Sequence, residues 1–154
     1  MPAARVLTVS DAVAAGERED RSGPAVRAAL DAAGFVVDQH AVVADGIDEV
    51  ANALRQLSRD FVGVVVTTGG TGFSPTDLTP EATRDVIERD APGLAEAMRL
   101  VNPLGRLSRA VAGTTGRAIV LNVPGSVDGA IECLNAVIDV LPHALDLLAG
   151  GQPH

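Results

Sequence analysis

The run Phe61-Val-Gly-Val-Val-Val66 is the most apolar β-branched stretch of the chain, and it constrains the fold most strongly. A run of this kind predicts a strand at the centre of a sheet that is covered on both faces. Shorter apolar runs predict further strands at residues 5–10, 35–43 and 117–123. The chain therefore has the pattern of a mainly buried sheet.

Helical segments alternate with these strands. Helices are predicted from Ser22 to Gly34, over residues 45–59, from Thr79 as N-cap, over 93–101, and over 127–148 with a break at Pro142. Residues 11–22 and 102–109 are predicted as loops. The buried helix faces are expected to contain Val26, Leu30 and Ala33, then Ile47, Val50, Leu54 and Leu57, then Ile131, Leu134, Ile138 and Leu141. This alternation favours an α/β fold with a mostly parallel sheet and helices on both faces, in one domain over residues 1–154.

Composition excludes several functions. All twelve cations are Arg, so the chain has neither a phosphate-loop lysine nor a lysine for a Schiff base. A net charge of −8, with three Phe and no Tyr or Trp, argues against nucleic-acid binding and favours a small-molecule partner. No apolar stretch long enough for a membrane span is present. One cysteine, Cys133, leaves no intramolecular disulfide, as expected in the cytoplasm.

Polar residues follow each predicted strand, where ligands bind to open α/β sheets. Thr67-Thr-Gly-Gly-Thr-Gly72 suits a phosphate group, because glycines can turn successive N–H groups toward one anion; a tight turn is the alternative. Gly125-Ser126 precedes a helix and is a second candidate anion site. As an isolated observation, Ser126 is better explained as an ordinary helix N-cap.

Asp45 and Asp77 lie on the same predicted edge. Carboxylates and a bound phosphate are both negatively charged, so their closeness indicates a cation between them. Mg²⁺ is bound by such carboxylates together with substrate phosphates. The alternatives are an N-cap for Asp45 and a turn residue for Asp77.

Other polar residues give weaker signals. His40 and His143 are interpreted as structural, and Cys133 as a small core residue. Arg106 and Arg109 flank Ser108, where they are either phosphate partners or solvated surface charges.

Several motifs in this order resemble the MoaB/Mog family of molybdenum cofactor biosynthesis. The resemblance rests on Thr67 to Gly72 with Ser74-Pro75 and Asp77, on Thr79-Pro-Glu81-Ala-Thr83, on Leu107-Ser-Arg109 and on Asn122-Val-Pro-Gly-Ser126. Near the amino terminus, Val9-Ser-Asp11, Gly16, Asp20 and Ser22-Gly-Pro24 extend it over essentially the whole chain.

The resemblance implies a three-layer α/β/α fold, usually trimeric, that binds molybdopterin. Mog-type enzymes transfer AMP from MgATP to the terminal phosphate of molybdopterin and release pyrophosphate. The two essential aspartates of the family fall on Asp45 and Asp77, which are the expected catalytic and Mg²⁺-binding residues. The implied substrate-binding residues are Ser10, Asp11, Thr68, Gly69, Gly70, Thr71, Gly72, Ser74, Glu81, Ser108, Arg109, Asn122, Pro124, Gly125 and Ser126.

Two positions depart from the family pattern. Thr76 precedes the loop aspartate, and Ala12 follows the first Ser-Asp, where many relatives have Arg. The first hypothesis, which follows from the resemblance, is a cytoplasmic, homotrimeric molybdopterin adenylyltransferase that uses Mg²⁺ and hands its product to a molybdenum insertase. The second, which the two departures motivate, is a molybdopterin carrier without catalysis. The third is a nucleotide-processing relative, such as the domain of competence-damage proteins.

Overall fold

A central sheet of six strands organises the molecule, which a computed structural model describes over residues 1–151. The strands lie in the order β2-β1-β3-β6-β5-β4. Neighbouring strands among β2, β1, β3 and β6 are parallel, whereas β5 runs antiparallel to both β6 and β4. Their bounds are β1 Ala3–Val9, β2 Val36–Val43, β3 Gly63–Thr68, β4 Arg89–Asp90, β5 Ala112–Thr115 and β6 Ala118–Val123.

Helices cover both faces of this sheet. They are α1 Asp11–Ala14, α2 Ser22–Ala32, α3 Ile47–Ser58, α4 Thr79–Val86, α5 Pro92–Arg99, a 3-10 helix Pro103–Leu107, α6 Val127–Asn135 and α7 Leu141–Leu148. One core contains residues of α2, α5, α6 and α7, and the other contains residues of α3 and α4. Val64 and Val66 face the first core and Val65 faces the second, so β3 is buried on both faces as the sequence predicts.

The main elements of the sequence prediction are confirmed, including the fold class and the break before Pro142. The sequence does not predict two of the strands, β5 and the two-residue β4. Both are short and lie at the antiparallel end of the sheet, where β5 contains Gly113 and lacks a long apolar run. Segments predicted as loops contain helical turns, since Asp11–Ala14 is a short helix capped by Ser10 and Pro103–Leu107 is a 3-10 helix.

Several details of the predicted helices are wrong. Ala33 is exposed and lies just beyond the last residue of α2, and Ile47 is 37% exposed at the first position of α3. Thr79 is the first residue of α4 and not its N-cap, since its hydroxyl donates to the carbonyl of Gly69. Among the described residues, no helix is both long and apolar enough to cross a membrane.

Candidate functional site

The carboxyl ends of the four parallel strands meet at one edge of the sheet. The chain passes from β1 to β2 on one side and later to β3 on the other, so the crevice that favours ligands lies between β1 and β3. A cavity of about 500 Å³ opens there, between Thr8 to Ser10 at the end of β1 and Thr68 at the end of β3. Gly125 and Ser126, after β6, also line it. This space is called cavity 1 below.

The glycine-rich loop after β3 presents free backbone amides. Gly69 and Gly70 have φ values of +106° and +70°, a conformation that favours glycine. Thr79 fixes the loop from below: its hydroxyl donates to the carbonyl of Gly69 and its amide donates to the carbonyl of Gly70. Within residues 1–151, the N–H groups of Gly70, Thr71 and Gly72 have no hydrogen-bond acceptor. The loop therefore has the donors that an anion requires.

Asp45 is held against the start of α1. Its backbone N–H donates to Oδ1 of Asp11 at 2.9 Å, and its own Oδ2 accepts the N–H of Asp11 at 3.2 Å. It does not cap α3, which begins after Gly46. Burial raises the pKa of Asp45, and the negative charges of Asp11 and Asp77 raise it further, against the hydrogen bond from Asp11. The neutral form of Asp45 is therefore favoured more than it is for an aspartate in water.

Asp45 and Asp77 lie against the same glycine-rich loop. A Cβ atom on Gly70 would stand 3.1 Å from Oδ1 of Asp45, and one on Gly72 would stand 2.9 Å from Oδ2 of Asp77. Oδ2 of Asp77 also accepts the N–H of Ser74 at 3.0 Å, which makes Asp77 a turn residue as well. Within the described chain, no three His, Cys, Asp or Glu side chains form a group that could hold a metal ion.

Arg109 connects the glycine-rich loop to α4. Its Nη1 and Nη2 donate to the two carboxylate oxygens of Glu81 at 2.7 and 3.2 Å. Its Nε donates to the carbonyl of Gly72 at 2.8 Å, and Nη2 also donates to the carbonyl of Asp77 at 2.6 Å. The hydrogen bond from Arg109 lowers the pKa of Glu81. This geometry gives Arg109 and Glu81 the role of positioning the loop and Asp77.

Asn122 is a buried connection beneath the site, 1% exposed. Its Oδ1 accepts the N–H of Val111, and its Nδ2 donates to the hydroxyls of Thr67 and Thr83, all at 3.0 Å. Both amide hydrogens are therefore engaged inside the protein. The resemblance implies a ligand contact for Asn122, and the geometry shows that its Nδ2 already connects β3 to α4.

A second cavity of about 490 Å³, cavity 2, lies on the other side of Ser126, which lines both. Nine of the predicted site residues line a cavity: Ser10, Thr68, Gly125 and Ser126 in cavity 1, and Thr71, Gly72, Ser108, Asn122, Pro124 and Ser126 in cavity 2. The others lie outside the two linings; these are Asp11, Asp45, Gly69, Gly70, Ser74, Asp77, Glu81 and Arg109. Ser126 is the N-cap of α6, because its Oγ accepts the N–H of Gly129.

One polar cluster beside cavity 1 is not predicted by the sequence. Asp20, His40 and Thr8 converge there, since Oδ2 of Asp20 accepts the hydroxyl of Thr8 at 2.8 Å and lies 3.2 Å from Nε2 of His40. His40 thus has an acidic partner that its isolated position in β2 does not reveal. Gly23 is a local signal of this cluster, because a Cβ atom there would overlap all three side chains.

Comparison with known proteins gives concordant matches. A family profile described as a probable molybdopterin binding domain matches residues 5–143. The molybdopterin adenylyltransferase of Helicobacter pylori strain J99 is 35% identical, over 94% of this chain and 86% of its own length. Molybdenum cofactor synthesis protein cinnamon of Drosophila melanogaster is 37% identical over 93% of this chain, which spans only 25% of that relative. The crystal structure of the molybdopterin biosynthesis enzyme MoaB from Thermus thermophilus superposes with a TM-score of 0.92, at 45% identity over 99% of both chains.

Proposed function

The chain belongs to the molybdopterin-binding domain family, and we propose that it is a molybdopterin adenylyltransferase of molybdenum cofactor biosynthesis. It would transfer AMP from ATP to the terminal phosphate of molybdopterin and release pyrophosphate. The observation that carries this proposal is the glycine-rich loop, whose unengaged amides stand beside the carboxylates of Asp45 and Asp77. Phosphate oxygens and a cation would complete that arrangement.

The protein would act mainly by positioning and by neutralising charge around the reacting phosphorus. The N–H groups of Gly70, Thr71 and Gly72 would hold phosphate oxygens that gain negative charge in the transition state. Arg109 and Glu81 would keep the loop and the backbone of Asp77 in place. Asn122 would hold β3, α4 and the segment before β5 in fixed positions relative to one another.

Asp45 and Asp77 would hold Mg²⁺ together with substrate oxygens. The donor set fits this ion, because Mg²⁺ commonly takes one or two carboxylates and keeps water and phosphate oxygens as its other ligands. Burial is the main cause of the raised pKa of Asp45, and the negative charges of Asp11 and Asp77 add to it; a bound cation would offset both effects. Bound Mg²⁺ would supply charge neutralisation for the phosphates of ATP.

An adenylylation assay tests the proposal. The protein is incubated with molybdopterin and MgATP, with and without chelator, and both the AMP adduct and pyrophosphate are measured. We expect Asp77→Asn to keep the fold and lose most activity, because the amide removes the charge that would bind the cation. Asp85→Asn, which changes an exposed carboxylate of the following helix α4, is the matched control. Full pyrophosphate release by Asp77→Asn would contradict the role of Asp77.

A molybdopterin carrier is the second candidate. The engagement of Arg109 by Glu81, Gly72 and Asp77 favours it, because this guanidinium has little capacity left for phosphate. A protein that binds molybdopterin and leaves MgATP intact in the same assay would be such a carrier.

We also propose a cytoplasmic homotrimer that hands its product to a molybdenum insertase. The longer Drosophila relative, of which this chain matches a quarter, supports the idea that other chains or domains take part in the same pathway. Measurement of mass in solution tests the trimer.

A further inference from the structure

An arginine outside the predicted site lies on the wall of cavity 1. Arg18 belongs to the segment between α1 and α2, and this segment lines the cavity with Arg18, Glu19, Asp20 and Arg21. Four of the predicted substrate-binding residues face the same space; these are Ser10, Thr68, Gly125 and Ser126. We propose that Arg18 binds a phosphate group of the phosphorylated substrate that occupies cavity 1, an inference that rests on the proposed function.

The segment that carries Arg18 is anchored two residues later. Oδ1 of Asp20 accepts the N–H of Gly23 at 3.0 Å, which ties the segment to the first turn of α2. Oδ2 accepts the hydroxyl of Thr8 and contacts His40, which ties it to β1 and β2. Both carboxylate oxygens of Asp20, whose side chain is 16% exposed, thus have partners within the protein. The anchor limits the positions that Arg18 can take, so less conformational entropy is lost when a ligand binds.

Arg18 points its guanidinium toward the end of β1. Its Nη2 donates to Oγ of Ser10 at 3.3 Å, a long contact, and Ser10 caps α1 with the same oxygen. The other N–H groups of Arg18 have no acceptor within the described residues. A planar guanidinium with free donors matches two oxygens of a phosphate group.

Backbone donors at the opposite wall complete the set. Within residues 1–151, the N–H groups of Gly125, Ser126 and Val127 have no acceptor, and all three residues line cavity 1. A phosphate between these amides and Arg18 would receive donors from two sides.

Three other charged side chains of the same segment, Glu19, Asp20 and Arg21, also line cavity 1. Arg21 adds a second cation and Glu19 one carboxylate, while the charge of Asp20 faces His40 and Thr8. The two guanidinium groups and the two carboxylates of this segment balance in formal charge, so the free donors of Arg18, and not an excess of positive charge, would select the phosphate. Because Arg18 and Arg21 are exposed, their attraction for an anion is expected to weaken as ionic strength rises.

The test is equilibrium binding by calorimetry with three separate probes: molybdopterin, MgATP and inorganic pyrophosphate. The variants are Arg18→Gln and Arg18→Lys, and the matched control is Arg55→Gln, an exposed arginine of α3 that lines neither cavity. We expect Arg18→Gln to weaken pyrophosphate binding about 10-fold, or roughly 1.4 kcal/mol. Arg18→Lys should weaken pyrophosphate binding less, because the positive charge remains although the planar pair of guanidinium donors is lost. Arg55→Gln should bind like the parent protein.

The two organic probes distinguish the source of the phosphate. A loss confined to molybdopterin assigns Arg18 to the pterin phosphate, and a loss confined to MgATP assigns it to the triphosphate; either supports the proposal. Binding of all three probes by Arg18→Gln within about twofold of the parent overturns it. If Arg18→Gln weakens pyrophosphate binding but the parent protein forms no AMP adduct, the role of Arg18 stands and the adenylyltransferase activity is refuted.

Discussion

Replacement of Arg109 by Lys tests whether this side chain positions the loop or binds substrate. Arg109 makes four hydrogen bonds of 2.6 to 3.2 Å, to Glu81, Gly72 and Asp77. A lysine ammonium is a compact donor and cannot span these acceptors, so at least two of the bonds should be lost. Loss of these bonds favours the open forms of the loop, although solvent at this partly exposed place limits the effect.

Amide hydrogen exchange measures this change directly. Easier opening of the loop should accelerate exchange roughly 10-fold at the amides that close the loop. Those amides are Asp77, which donates to Ser74, and Thr79, which donates to Gly70. The catalytic rate should fall as well, because Asp77 is displaced. Arg84→Lys is the matched control, since Arg84 lies exposed in α4 and pairs with Asp90 at 3.6 Å.

Glu81→Gln gives an independent check of the same contact. The hydrogen bond from Arg109 lowers the pKa of Glu81, so the pair stabilises the fold above the ordinary carboxyl pKa. This stabilisation is lost as pH falls through the lower folded-state pKa. The acid-side loss of stability should therefore be smaller in Glu81→Gln.

Unchanged exchange at Asp77 and Thr79 in Arg109→Lys, together with a raised KM for either substrate, would refute the positioning role and make Arg109 a ligand group.

Three further predictions concern the same edge of the sheet. Asp45→Asn should be inactive and, at neutral pH, more stable than the parent, because burial and neighbouring carboxylates raise the pKa of Asp45. The difference in free energy of unfolding between variant and parent, measured by urea unfolding, should shrink as pH falls and the parent aspartate is protonated. Asn122→Ala should lower the free energy of unfolding by about 3 kcal/mol, since three buried hydrogen bonds are lost, and a loss under about 1 kcal/mol would contradict this accounting. Gly70→Ala should lower the thermal midpoint and phosphate affinity, because φ is +70° and the new Cβ would overlap Oγ1 of Thr79; an unchanged midpoint would contradict this expectation.

Part of the site could be predicted from the sequence because parallel strands bring their carboxyl ends to one edge. Asp45 and Asp77 are separated along the chain, and their placement after predicted strands was enough to bring them to the same loop. Ser126 was equally predictable, since serine before a helix is a common N-cap and the structure confirms that role.

Other roles could not be predicted, because they depend on which side chains meet across the fold. Arg109 is a candidate phosphate partner in the sequence, and only its contacts with Glu81, Gly72 and Asp77 show that its donors are directed inward. Asp20 and His40 are 20 residues apart on different elements, and no spacing rule joins them.

The sequence by itself determined the α/β architecture, the glycine-rich loop and the two aspartates beside it. Periodicity and turn chemistry are local properties, so each residue and its near neighbours suffice to predict them. Only the tertiary structure decided which polar groups are engaged within the protein and which remain open to a ligand. That distinction depends on hydrogen bonds between distant segments, such as Asn122 with Thr83 and Asp20 with Thr8, and a linear pattern does not contain them.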